Sequence, residues 1–179
     1  MGKATEDLRK EHGALMNVFV ILDKMLLTDT KEQDEIYKFG EELIYFLKIF
    51  ADICHHGKEE DYLFKELIAK GVQGEGGPIG VMLQEHKQGR EYISMMSKSL
   101  ESKDLINFKA IAVKYRDLLM LHIAKENNVL FMMADKLLDD ATQNELFVQF
   151  EKHEEAVIGH GVHEELHSMI HKWELEFNV

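Results

Sequence analysis

The sequence predicts an all-α fold, an antiparallel four-helix bundle carrying a C-terminal helical extension. Three observations predict it. Apolar residues recur at alternating spacings of three and four over long stretches, the stripe of a helix packed in a bundle. One Pro in 179 residues permits long uninterrupted helices. Alternation of apolar and polar residues over the length of a strand is absent. A length of 179 residues fits one domain, with enough chain to bury about two-thirds of its unfolded surface. A single domain over residues 1–179 is therefore expected, with the bundle at about 5–138 and the extension at about 142–177.

The first helix is expected at about Thr5–Leu27, with Leu8, Leu15, Phe19, Leu22 and Leu26 on one stripe and His12 filling the gap in it. Thr28-Asp29-Thr30 reads as a turn, with Asp29 or Thr30 as the cap of the second helix. That helix, about Glu32–Lys70, carries Phe39, Leu43, Phe46, Ile49, Phe50, Ile53, Leu63, Phe64 and Leu67, and is interrupted by Gly57. The Gly-rich stretch Gly71–Pro78 is the clearest loop. The third helix, about Ile79–Glu101, has Ile79, Met82, His86, Ile93, Met96 and Leu100 on its stripe. The chain turns at Ser102–Leu105. A fourth helix comes next at about Asn107–Leu138, with Phe108, Ile111, Tyr115, Leu118, His122, Val129, Leu130, Met133 and Leu137. The tail, Thr142–Phe177, reads as two helical stretches hinged near Gly159–Gly161.

Composition narrows the function. The net charge of −12, from 21 Lys+Arg against 33 Asp+Glu, works against nucleic acid or an anionic membrane as partner. No apolar run is long enough to span a bilayer, and the N-terminus shows no signal-peptide pattern, so a cytoplasmic location is expected. Cys54 is the one cysteine, which excludes an intramolecular disulfide. Ten His in so acidic a chain raise the question of a metal.

The positions of those His residues carry the argument. His12, His86 and His122 each occupy a stripe position that would otherwise hold Leu, and His56 does the same after Ile49 and Ile53. Two of these helices add a carboxylate four residues on, His56…Glu60 and His122…Glu126, on the same helix face. A lone His on an apolar face is more often a satisfied core residue. One per helix, with two HxxxE pairs, forms a set able to hold two metal ions, with imidazoles terminal and carboxylates bridging. Mixed nitrogen and oxygen donors favour iron, manganese or zinc over calcium or magnesium. The metal set on this reading is His12, His56, Glu60, His86, His122 and Glu126; no further catalytic residue is assigned.

These residues resemble the hemerythrin-like, HHE cation-binding family. His55-His56-Gly57-Lys58-Glu59-Glu60 supplies the HHE cluster. The stretches Gly77-Pro78-Ile79…Glu85-His86 and His122…Glu126-Asn-Asn-Val-Leu-Phe131 are similar to the di-iron domain of repair-of-iron-centres proteins. Two departures stand out. Lys65 and Met132 come after the Leu-Phe pairs where the family often has Pro. Arg90 stands where oxygen-carrying hemerythrins have a second His on the third helix, which leaves four bundle His and makes simple oxygen carriage doubtful. The resemblance implies two iron ions, oxo- or hydroxo-bridged, with manganese or zinc as substitutes. It implies dioxygen, peroxide or nitric oxide as the small ligand, in sensing, oxidative or nitrosative stress defence, or iron-centre repair. A di-iron enzyme turning over peroxide or nitric oxide, and an iron storage or sensing module, are the alternatives. A helical interaction module using the His-rich tail is the reading without metal.

Two points stay open in the sequence. The apolar register selects His56/Glu60, whereas the Lys-Glu…Leu-Phe pattern, matched against Lys125-Glu126…Leu130-Phe131, selects His55/Glu59; a bulge at Gly57 would bring both pairs near the metals. In the tail, His163 or His167 is either part of a solvated helix packed through Val162, Leu166, Met169, Ile170 and Trp173, or reaches the site as a fifth His, with His163 the candidate.

Overall fold

The computed structural model describes residues 2–27 and 32–179, all of whose regular elements are helical. The turn and cap expected at Thr28-Asp29-Thr30 lie outside the described residues. Helix α1 spans Lys3–Leu27. Helix α2, Gln33–Phe46, runs without a break into a π-helical segment, Leu47–His56, then a π turn, Glu59–Leu63, and ends as α3, Phe64–Ala69. The residues at each junction keep right-handed helical dihedrals, so this is one rod. Helix α4 spans Pro78–Glu101, with Pro78 in the first turn, where its missing N–H costs nothing. Helix α5, Leu105–Lys125, continues through a π turn, Glu126–Leu130, into α6, Phe131–Leu137. Asp104 caps α5 by accepting from the Asn107 N–H at 2.9 Å.

The extension is α7, Asp140–Val157, and α8, Val162–Phe177. Asp139 caps α7 through the Thr142 N–H at 2.8 Å. Gly159 and Gly161, at φ of 88° and 82°, make the hinge in a region that suits glycine. Both extension helices pack on α1. Helix α8 is held by Leu166, Ile170, Trp173 and Phe177, each worth roughly 1.5–3 kcal/mol when fully buried. The Trp173 ring meets Phe39 and Phe46 edge-on, and its Nε1–H donates to Glu42 at 2.9 Å.

The core falls into two apolar clusters. One contains Leu15, Phe19, Phe50, Ile93, Tyr115 and Leu119. The other contains Leu8, Leu63, Phe64, Met82, Leu130 and Phe131. His12 lies between Leu8 and Leu15, and His86 between Met82 and Ile93, so the buried polar residues form a layer between the two clusters.

The second rod departs from the regular helix that its apolar stripe suggests. Ile53, expected on the buried face, is 41% exposed, while Phe50, Ala51 and Cys54 are buried. The i→i+5 hydrogen bonds of the π segment widen each turn, so successive residues rotate less about the axis. Neighbours His55 and His56 therefore both turn inward, at 1% and 3% exposure. Gly57 lies just past the segment, where a Cβ would come within 2.5 Å of the His153 ring. His153 Nε2 donates to the Ile53 carbonyl oxygen at 3.0 Å.

Candidate metal centre

Two groups of side chains converge in the polar layer: His12, His55, Glu59 and Glu126, and His56, Glu59, His86 and His122. All are buried. His12 and His55 bring their Nε2 atoms to 3.0 Å, and His86 and His122 bring theirs to 3.1 Å. The two carboxylates join the pairs. Glu59 places Oε1 at 3.6 Å from His55 Nε2 and Oε2 at 3.3 Å from His86 Nε2. Glu126 Oε2 lies 3.2 Å from His12 Nε2 and 3.1 Å from His122 Nε2.

Each of these two carboxylates begins a π turn, Glu59–Leu63 and Glu126–Leu130, and each turn ends at a Leu that a Phe follows. The phenylalanines then cover the imidazoles: Phe64 lies parallel to His86 at 5.9 Å, and Phe131 parallel to His12 at 5.3 Å. The rods are thus matched around the site, Lys58-Glu59…Leu63-Phe64 facing Lys125-Glu126…Leu130-Phe131.

A ring of outer partners fixes the imidazoles. His55 Nδ1 donates to Glu11 at 2.7 Å, His86 Nδ1 to Glu60 at 2.7 Å, His122 Nδ1 to Glu85 at 3.0 Å, and His12 Nδ1 to the Asn127 side-chain oxygen Oδ1 at 3.0 Å. A carboxylate or amide oxygen can only accept, so each Nδ1 carries a proton and Nε2 is the nitrogen aimed inward, the one left to ligate. This is the arrangement in which outer carboxylates orient metal-ligating His. Sequence reasoning missed Glu11, Glu85 and Asn127 in this role. A signal was present: each stands next to another site residue, as Glu11-His12, Glu85-His86 and Glu126-Asn127.

Of the residues expected from the sequence, His12, His56, His86, His122 and Glu126 are brought together, and so is the alternative pair His55/Glu59. Glu60 requires a correction. Its carboxylate is partly exposed and binds His86 Nδ1 and Arg90, both at 2.7 Å, on the outside of the layer. The π geometry turns Glu59 inward in its place. Arg90 also holds Asp52 at 2.6 Å, and Asp52 approaches His56 Nδ1 at 3.6 Å. The expected four bundle imidazoles become five, because the second rod supplies two. His163 also requires a correction: it is partly exposed, bound to Glu154 at 2.9 Å and outside both groups.

The polar atoms test whether a metal fits. Both oxygens of Glu59, both of Glu126 and both nitrogens of His56 are buried with no hydrogen-bond partner. Lone pairs of imidazoles and carboxylates facing one another repel unless a cation lies between them, and uncompensated buried charge is expensive. The electrostatics of the layer favour positive charge within it. Burial works against a charged imidazole, yet Glu126, Glu85 and Glu59 push His122 up to about 10. His55 and His86 are also raised against burial, by Glu59 together with Glu11 and Glu60 respectively. His56 is lowered well below its ordinary value by burial and by the neighbouring imidazoles. Glu126 is held well below the carboxylate range by His122 and His12, although burial opposes this. A donor set of imidazole nitrogen and carboxylate oxygen suits a borderline transition metal.

Residues 3–134 match the family profile described as hemerythrin HHE cation binding domain. The chain belongs to that family. No curated protein and no solved structure gives a match. The matched span covers the four rods from Lys3 into α6 and contains both side-chain groups, so this hemerythrin HHE domain is a metal-binding helical bundle. Among the described residues no helix is long and apolar enough to cross a membrane.

Proposed function

We propose that this hemerythrin-like chain holds two iron ions and uses them to bind dioxygen, peroxide or nitric oxide. His12 and His55 would hold one ion and His56, His86 and His122 the other, with Glu59 and Glu126 the carboxylates that reach both groups. One observation carries the reading: two carboxylates with unpartnered buried oxygens each reach from an imidazole of one group to an imidazole of the other. The division is unequal: the group with His12 and His55 offers two imidazoles and the group with His56, His86 and His122 offers three, so an ion in the first group would have fewer protein nitrogen donors.

When bound, the iron supplies reversible electron transfer and an open position for a small ligand. The chain supplies the rest. Glu11, Glu60, Glu85 and Asn127 each hold a proton on Nδ1, so Nε2 is the nitrogen left to ligate. Phe64, Phe131 and the two apolar clusters keep bulk water away from the layer. A surface cleft of about 550 Å³ has Asp52 and Arg90 in its wall, and so borders the outer partners of His56 and His86. The resulting role is sensing, stress defence or iron-centre repair, all of which need a buried, ligand-accessible iron pair.

The test is metal analysis of chain expressed with ample iron. Two irons per chain, and a near-ultraviolet charge-transfer band on oxidation that responds to nitric oxide or peroxide, are expected. A content below one that iron reconstitution leaves unchanged would refute the reading. Sustained release of dioxygen from peroxide would reassign the chain as an enzyme at the same site.

A further inference from the structure

We propose that His163 and His167 on α8 form a third metal site, an exchangeable one at the protein surface, for a borderline divalent ion such as zinc or iron(II). The two residues are one helical turn apart and share a face. Their Nε2 atoms stand 3.1 Å apart, with ring centroids at 4.7 Å. Metal–nitrogen bonds of about 2.0–2.1 Å place two donors roughly 2.9–3.4 Å apart at angles between 90° and tetrahedral.

The buried centre provides an internal comparison. Its Nε2 pairs stand at 3.0 and 3.1 Å, and each of their Nδ1 atoms is tied to an oxygen acceptor. His163 repeats that pattern, with Nδ1 on Glu154 at 2.9 Å and Nε2 turned to its partner. The Phe50 ring lies nearly parallel to His163 and edge-on to His167, both at 5.9 Å, and fixes the two planes from below.

Glu11 and Glu154 also converge with His163, but a cation already lies between them: Lys58 Nζ lies 2.7 Å from the one and 3.0 Å from the other. The site is therefore the imidazole pair, and water completes the coordination. His163 is 31% exposed, so an ion there exchanges with solvent, unlike one in the buried layer.

The experiment is calorimetric titration of zinc into the chain as purified, with its metal content measured before and after. One zinc per chain is expected beyond the metal already held, with no loss of that metal. His167→Ala and His163→Ala should each weaken this binding at least tenfold, whereas His171→Ala should leave it unchanged. Circular dichroism checks that each variant stays folded. Failure of the parent chain to take up zinc would reduce the pair to a His–His hydrogen bond and overturn the proposal. Undiminished binding by His167→Ala, or dependence on His171, would overturn it equally. The buried-iron reading is unaffected by any of these results, since it is read from the metal already held.

Discussion

Glu59→Gln should change stability in opposite directions with and without metal. The substitution keeps the shape of the side chain and removes its charge. Glu59 is fully buried, approaches His55 and His86 at 3.6 and 3.3 Å, and has no hydrogen bond on either oxygen. With metal bound, the change removes one ligand from each ion. A ligand at 100 times its dissociation constant stabilises the fold by about 2.7 kcal/mol, so weakening both sites costs on the order of 5 kcal/mol. At roughly 2–4 °C per kcal/mol for a chain of this size, the melting temperature should fall by about 10–20 °C. After chelation the sign reverses. An amide costs less to bury than an unpartnered carboxylate, so the metal-free variant should match the parent or exceed it by about 1–3 kcal/mol. Thermal unfolding of both forms, with metal analysis of each, reads the result. Glu60→Gln is the control: as an outer partner of His86 it should weaken metal binding by about 10–100-fold without abolishing it. Two irons and an unchanged melting temperature in Glu59→Gln would refute the bridging role. An equal loss in both forms would make Glu59 a purely structural residue.

Gly57→Ala should destabilise the chain by about 1–3 kcal/mol in chemical denaturation, although Ala is worth about 1 kcal/mol more than Gly in a helix. Its Cβ would meet His153 at 2.5 Å and displace the bond to the Ile53 carbonyl; a stabilised variant would show that His153 moves aside freely. The Glu11 carboxyl is lowered from 4.5 to about 2, because His55 and Lys58 outweigh the effect of burial. Since its folded value lies below its unfolded one, the metal-free chain should hold this contribution fully above about pH 4.5 and lose it as pH falls toward 2. The loss is on the order of 3 kcal/mol, read as denaturation midpoints against pH. Glu11→Gln should flatten that slope, and an unchanged slope would assign it to other carboxyls.

The helices and much of the polar layer were legible in the sequence. A three-four apolar stripe is a property of consecutive residues, so the placement of His12, His86 and His122 inside the bundle comes from counting along one helix. The lack of Pro beyond the first turn of any rod and the glycines at Gly71–Gly77 and Gly159–Gly161 mark where the chain runs straight and where it bends. The choice between Glu59 and Glu60 could not be read in that way. Counting at 100° per residue assumes a regular helix, and the rod is π-helical from Leu47 to His56. The contacts surrounding that segment are remote in the chain. His153 takes the Ile53 carbonyl from 100 residues away, and Lys58 is drawn to Asp7, Glu11 and Glu154, between 47 and 96 residues away. The sequence by itself determined which helices form and which faces they bury, because hydrophobic period is local. Only the tertiary structure decided that both His55 and His56 turn inward with Glu59, because the backbone register there depends on partners brought together by the packed fold.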